Sequence, residues 1–427
     1  MSIERKIKRA AKKSDFQKAL DDGAKQQRDA GLSLEQRKEE RYEKLEKIFS
    51  QLGDRKNRYL FYAPDIPFPC STVKVIYEHA YYLNQMGFNA IILHEVKGFR
   101  PNWIQKPELL KEAKIIYLSE KKKSGGYSKP SFAFSPTDTI IIPEGFWTVM
   151  TGFAETKTLH KVVMAFGYGG FATAEPGANW ASLGFTDVLC VSEQLKEDYS
   201  KLWPNLTYHV VGYDIDRELF SPVDANLIKP EIALSCRSRE DAQSLINIFY
   251  SKYPFLDMFQ FKILKKMDTN EYAESLRTSA AMVFVDEKAG HPAPPLEAIA
   301  CGVTTIGVFG RGMEHLVDQE GFVWLPSNDP FMIVEAVAEF CVNWLENNVR
   351  PIEDKAILDK YHTDVVKTKL LNVYEELQMN KIKLFTAVKQ AVDESKLDTA
   401  IDTMPIDFKA DEVKTVAEVI AEINETK

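Results

Sequence analysis

The sequence predicts an α/β chain built as two Rossmann-like domains facing each other across a cleft. Three observations carry that expectation. From Arg58 onward, short apolar runs alternate with helix-periodic stretches over about 150 residues, as in a parallel, doubly wound sheet. A second series of the same kind starts near Glu231. The 427 residues also suffice for two core-forming domains plus extensions, at about 100–200 residues per domain.

Residues 1–56 read as a charged helical extension. They are rich in Lys, Arg, Glu, Ala and Gln, with Leu45, Ile48, Phe49 and Leu52 forming a narrow apolar stripe. Residues 1–60 hold 17 Lys or Arg against 11 Asp or Glu. Such an arm suits either a solvated extension or contact with a membrane surface, a nucleic acid or a protein partner. The first domain is placed at 57–212. Tyr59–Ala63 reads as a strand, Pro64–Pro69 as a loop, Val73–Met86 as a helix and Asn89–Leu93 as the next strand, which makes one βαβ unit. Further strands are expected at Lys114–Leu118, Thr139–Ile142, Lys161–Ala165 and Asp187–Val191.

The two series join near 212–230, and the second domain is placed at 213–345. Its strands are expected at Ile232–Ser235, Phe259–Leu264, Ala281–Val285, Thr304–Val308 and Phe322–Leu325. Helices are expected at Asp241–Tyr253, Asn270–Thr278 and Pro294–Cys301. Residues 346–380 read as closing helices. Residues 381–427 read as an acidic tail with two amphipathic patches, around Ile382–Val392 and Val413–Ile423. The tail, like the arm, can dock on a partner or on the protein's own surface.

Hydrophobic residues at 45% and charged residues at 27% describe an ordinary globular protein. A net charge of -8 argues against coating nucleic acid. The five cysteines are scattered without a CxxC pair, which points to thiols rather than a disulfide framework or a zinc site. The N-terminus has no apolar signal region, and no window approaches about 18 uninterrupted apolar residues, so a cytoplasmic location is expected. No GxGxxG follows the first strand, which weakens an NAD-dependent reading.

The most informative stretch is Ala289-Gly-His-Pro-Ala-Pro-Pro-Leu-Glu297-Ala-Ile-Ala-Cys-Gly302. A Gly/Pro-rich loop leads into a helix opening at Pro294, where proline costs no intrahelical hydrogen bond. The free N–H groups and dipole of such a start favour a phosphate. Glu297, in the first turn, can accept two ribose hydroxyls or simply complement the helix dipole. In the first domain, Ser71 and Thr72 follow the Pro-rich loop, where they can meet a phosphate or act as an ordinary N-cap. Glu144 ends one strand and Phe166-Gly-Tyr168-Gly-Gly-Phe171 follows another, both at the cleft edge, so Glu144 and Tyr168 are candidates for lining the cleft; the glycines equally suit a turn. Arg237 and Arg239 follow the first strand of the second domain, and guanidinium groups bind phosphate oxygens bidentately. His79, His94 and His160 lack metal-ligand spacing and read as structural, and no metal site is expected.

The 289–302 stretch resembles the signature of glycosyltransferase family 4, the "group 1" transferases of GT-B fold, which runs Glu-Gly-Phe-Gly-Leu-Pro-x-x-Glu-Ala-Met-Ala-x-Gly. Gly290, Pro294, Glu297, Ala298, Ala300 and Gly302 fall in register. The family's first Glu falls on Ala289, and Pro292 replaces a glycine; Asp286 or Glu287 could stand in for the lost carboxylate. Val211–Pro222 is similar to the family's interdomain segment, Asp187–Ser192 to the strand and Ser before a helix, Gly310–Glu314 to a turn, and Asp364–Leu377 to the closing helix.

The resemblance spans roughly 57–378. It implies a GT-B transferase moving a sugar from a nucleotide-diphosphate donor to an acceptor hydroxyl, with retention and no cofactor beyond the nucleotide sugar as co-substrate. Donor binding would fall to Ser71, Thr72, Arg237, Arg239, Gly290, His291, Pro294 and Glu297, with Arg237, Arg239 and His291 as catalytic candidates. The acceptor stays open between a glycan, a lipid-linked glycan, a protein and a modified nucleic acid. The absent first carboxylate and the long extensions also suit an inactive GT-B scaffold serving as a binding or assembly protein.

Overall fold

The computed structural model describes residues 57–120, 132, 134–135, 137–154, 159–236, 238–265, 267–286, 293–347, 352 and 356–393, without the side chains of Glu314 and residues 382–393. The first sheet contains β1 (Arg58–Tyr62), β2 (Asn89–Val96), β3 (Ile115–Ser119), β4 (Thr139–Pro143), β5 (His160–Ala165), β6 (Asp187–Cys190) and β7 (Thr207–Val210). Their order is β3-β2-β1-β4-β5-β6-β7, and every neighbouring pair is parallel. Its central strands are covered on both faces, which is why they read as unbroken apolar runs: every residue of β4 is buried. The edge strand β7 is a correction to the expectation. Thr207-Tyr-His-Val is short, and Thr207 is exposed, so no apolar run marks it.

Helices α1 (Ser71–Gln85), α2 (Pro107–Lys111), α3 (Trp147–Ala154) and α4 (Glu193–Leu202) connect these strands. On α1 the apolar residues Val73, Ile76, Tyr77, Ala80 and Leu83 recur at helical spacing and are buried. Ser192 caps α4, its side chain accepting from the Leu195 N–H, as the Asp187–Ser192 pattern suggested.

The second sheet holds β8 (Lys229–Ser235), β9 (Gln260–Ile263), β10 (Ser279–Val285), β11 (Thr304–Val308) and β12 (Phe322–Trp324) in the order β12-β11-β10-β8-β9. It too is parallel throughout. Its connecting helices are α5 (Arg239–Lys252), α6 (Thr269–Arg277) and α7 (Ala293–Ala300), followed by α8 (Pro330–Asn347). Alternation along β10 divides the interior. Met282 and Phe284 join a core continuous with the first lobe, whereas Ala281 and Val283 join a second core with Phe249 and Val337.

The chain then returns to the first lobe in α9 (Thr363–Asp393). Tyr374 packs its ring against Tyr59, Phe61 and Phe88. Lys381 donates to the Thr137 carbonyl, and burial lowers its pKa to about 7. Because α9 runs unbroken to Asp393, the boundary expected at 380/381 falls inside a helix. The charged extension 1–56 and the tail beyond 393 lie outside the described residues. Among those described, no helix is long and apolar enough to cross a membrane.

Candidate active site

In open parallel sheets, ligands bind beyond the carboxyl ends of the strands, where the strand order reverses. The first sheet reverses between β1 and β4, and the second between β8 and β10. Ser71 and Thr72 follow β1, Glu144 follows β4, Arg239 follows β8, and Pro294 and Glu297 follow β10. Of the described candidates, Ser71, Thr72, Glu144, Arg239, Pro294 and Glu297 therefore lie at the two switch points, while Tyr168 follows the neighbouring β5. Contacts show that these edges face each other. The Thr269 hydroxyl, after β9, donates to the Trp103 carbonyl, after β2, at 3.2 Å. Arg311, after β11, grips Asp198 on α4 through two hydrogen bonds of 2.5 and 2.7 Å.

On the first lobe, Cys70 and not Ser71 occupies the N-cap of α1, and no side chain caps that end. This corrects the N-cap alternative: Ser71 and Thr72 already lie inside the first turn, Ser71 exposed. On the second lobe, Pro294 sits in the first turn of α7, whereas Glu297, 9% exposed, lies in the second turn and not in the first as the sequence suggested, because the helix already runs from Ala293. Arg239 opens α5 and is exposed, with Ser238 as the N-cap accepting from the Asp241 N–H. Asp286 directly follows β10 and is half-buried. Arg237, Glu287, Ala289, Gly290, His291 and Pro292 lie outside the described residues.

Glu297 belongs to a charged cluster at the seam between the lobes. Burial pushes its pKa up, opposed by Lys74 and by the Tyr272 hydroxyl. Lys74, in the first turn of α1, stands 3.6 Å from Glu78 one turn on and 5.9 Å from the centre of the Phe220 ring. Burial works against the Lys74 charge, but Glu78, Glu297, Asp214 and Asp216 together hold its pKa above the ordinary lysine value. Burial raises Glu78 to about 8 against the pull of Lys74. Lys106 pairs with Asp216 at 2.9 Å, and Asp214 accepts from Tyr82 at 2.9 Å and Thr363 at 3.1 Å. A segment between the sheets, a first-lobe helix and a second-lobe helix thus meet in one cluster of titratable groups.

Glu144 has a backbone partner: its Oε2 accepts the Phe166 N–H at 2.6 Å. Burial raises its pKa to about 8, against this bond and the Gly167 N–H. Two glycines let these loops touch. Gly145 has φ +84, and a Cβ on Gly170 would stand 2.8 Å from the Gly145 nitrogen. At Gly170 the glycine is thus used for close backbone approach, at the start of a 3-10 helix (Gly169–Thr173), rather than for the left-handed turn geometry. The Tyr168 hydroxyl donates to Asp198 at 2.7 Å, which links it to Arg311 on the other lobe.

The histidines have structural partners. His79 meets the Gly212 carbonyl at 3.0 Å, His94 lies between Tyr77 and Asp65, and His160 bonds Asp187 at 2.7 Å. Among the described residues, no group of three or more His, Cys, Asp or Glu could hold a metal ion. All five cysteines are free thiols, three of them buried and Cys70 and Cys236 half-buried.

Lys74, Lys106, Asp214, Asp216, Tyr272, Asp198 and Arg311 are the residues sequence reasoning did not single out. A signal existed for the first: Lys74 and Glu78 form an i,i+4 pair, the only Lys, Arg, Asp or Glu residues of α1. No comparable signal exists for Asp198 and Arg311, whose separation in sequence is 113 residues.

No protein-family profile matches the chain, and no curated protein matches it. Solved structures match it in fold. Anabaena Alr3699/HepE in complex with UDP is 9% identical with a TM-score of 0.53, over 75% of this chain and 100% of that one. The same protein with UDP and glucose gives 10% and 0.53, over 75% and 100%. With UDP-glucose it gives 10% and 0.51, over 75% and 99%. At such identity the likeness is one of architecture: two doubly wound domains in the GT-B arrangement.

Proposed function

We propose that the protein is a glycosyltransferase that moves a sugar from a nucleotide-diphosphate donor to an acceptor hydroxyl between the lobes. The observation that carries this reading is the meeting of two switch points, with an uncapped helix start on one side and, on the other, a helix that opens after β10 and carries Glu297 in its second turn. In this reading Glu297 accepts ribose hydroxyls, and the start of α7 faces the diphosphate. Arg239, together with Arg237, neutralises the charge that develops as the sugar leaves. Glu144 and Tyr168 line the acceptor side. The resemblance to family 4 supports retention at the anomeric carbon and a reaction that needs no metal. Because HepE is solved with UDP and UDP-glucose, these head the donors to try.

Calorimetric titration with a panel of nucleotide diphosphates and nucleotide sugars, on wild type and Glu297→Ala, tests the reading. One nucleotide sugar should bind, at least about tenfold more weakly to the variant, since hydrogen bonds to a charged group contribute about 1.5–3 kcal/mol each. Failure of every member to bind the wild type would sink it.

A further inference from the structure

We propose that Trp103 is a positioning residue: it fixes the loop that opens the first-lobe half of the site, and it ties that loop to the docking of the second lobe. The inference rests on the reading of the β1 switch point as part of a nucleotide-sugar site.

Residues 63–70 join β1 to α1 and end at the uncapped helix start. The first half of this loop is fastened to its own lobe. Asp65 accepts the Glu95 and Val96 N–H groups at 3.2 and 3.0 Å and pairs with His94 Nδ1 at 2.9 Å. The Ile66 N–H closes a turn on the Pro64 carbonyl at 2.8 Å. The Ile66 carbonyl accepts the Trp103 indole N–H at 3.0 Å. Beyond Ile66, residues Pro67, Phe68 and Pro69 are exposed. Proline fixes φ at two of these three positions. A short, stiff span therefore separates Ile66 from Cys70 and Ser71, so the place where Ile66 is held sets the place of the helix start.

Trp103 is suited to that hold. Its ring is buried in the core of the first lobe, and its N–H is a donor only, the polar handle of an otherwise apolar side chain. Its backbone makes a different contact. The Trp103 carbonyl accepts, at 3.2 Å, the hydroxyl of Thr269, the first residue of α6. Three positions on, Lys106 pairs with Asp216 of the segment between the sheets at 2.9 Å. One residue thus bonds the switch-point loop of one lobe through its side chain and a helix of the other lobe through its backbone. Separation of the lobes breaks the Thr269 bond and frees the 101–106 segment on that side, which loosens the hold on Ile66. With the lobes docked, the loop is set before a nucleotide arrives, and binding has less ordering to supply.

Amide exchange of the free full chain, and calorimetric titration with UDP or whichever nucleotide the panel identifies, are compared across four proteins: wild type, Trp103→Phe, Thr269→Val and Thr269→Ser. The denaturation midpoint serves as the folding control. Trp103→Phe removes the indole N–H, and Thr269→Val removes the hydroxyl while keeping a branched side chain. Each should speed exchange at residues 66–72, and weaken nucleotide binding, by about three- to tenfold, the effect of one neutral hydrogen bond. Exchange at residues 293–300 of the second lobe should stay at its wild-type rate. Thr269→Ser, which keeps the hydroxyl, should match wild type in both readouts. If Trp103→Phe does not fold, Thr269→Val, which leaves the first lobe unaltered, carries the test.

Wild-type exchange at 66–72 in folded Thr269→Val overturns the inference, as does faster exchange there with undiminished nucleotide affinity; both results leave the transferase reading standing. Equal acceleration at 66–72 and 293–300 also overturns it, since the variant would then be loosened throughout, and so does a Thr269→Ser that behaves like Thr269→Val. A wild type that binds no nucleotide overturns the transferase reading and this inference together.

Discussion

The two lobes touch through charge at two places of opposite character. At the seam, Lys74, Glu78, Asp214 and Glu297 are removed from water, with side-chain exposures of 19% for Lys74 and 2% for Glu78. At the rim, Arg311 and Asp198 make a better-shaped, bidentate pair, yet Arg311 is 60% exposed. Geometry alone would rank the rim contact first. Solvent reverses the ranking, because an exposed pair is screened while a buried charge stripped of its partner keeps its desolvation cost. The rim pair is suited to release, and the seam to holding a site.

Breaking the seam should have the largest effect. Lys74→Met, measured by denaturant unfolding at pH 9 where Glu78 is ionised, should cost about 3–5 kcal/mol, and a loss under about 1 kcal/mol would mean the seam is as wet as the rim.

Glu78 sharpens the same contrast through pH. Its folded pKa, about 8, lies above the unfolded value. The folded state therefore holds a proton the unfolded state has lost, and stability falls as pH rises from about 4.5 to 8. Glu78→Gln should remove up to about 5 kcal/mol of that fall, on the scale of about 1.36 kcal/mol per pKa unit. Stability curves that coincide from pH 5 to 9 would contradict it.

On the acceptor edge, Gly170→Ala drives a Cβ against the Gly145 backbone. A loss of about 1–3 kcal/mol in thermal or chemical unfolding is expected; an unchanged stability would mean that the two loops shift apart at no cost.

The rim gives the smallest effect. Arg311→Ala should cost about 0.2–1 kcal/mol at neutral pH. Arg311, with help from Tyr168 and Gln194, holds the Asp198 carboxyl below the ordinary aspartate range. This contribution is present above the unfolded pKa and lost as pH falls through the folded one, so wild type and variant should converge in strong acid. A cost above about 2 kcal/mol, or one rising with salt, would place the rim pair with the seam.

The sequence made the sheets legible wherever strands are covered on both faces, because burial writes an apolar run at β4 or β10. It hid β7, whose edge position leaves polar residues in place. The helix carrying Pro294 and Glu297 was legible from local chemistry, since a proline in the first turn and a following carboxylate are both short-range signals. The partners of Glu297 were not. Lys74, whose charge acts on it, stands more than two hundred positions away in sequence, and Asp216 lies in the segment between the sheets. Charge pairing across a seam is a property of the tertiary arrangement, and only the internal Lys74–Glu78 spacing left a trace of it in the chain.

The most direct test of a donor site shared by both switch points is amide hydrogen exchange with and without saturating UDP-glucose. Simultaneous protection of residues 71–78, on the first lobe, and 293–300, on the second, is expected. Protection confined to one lobe, or appearing away from both carboxyl edges, would contradict a site built from the two sheets together.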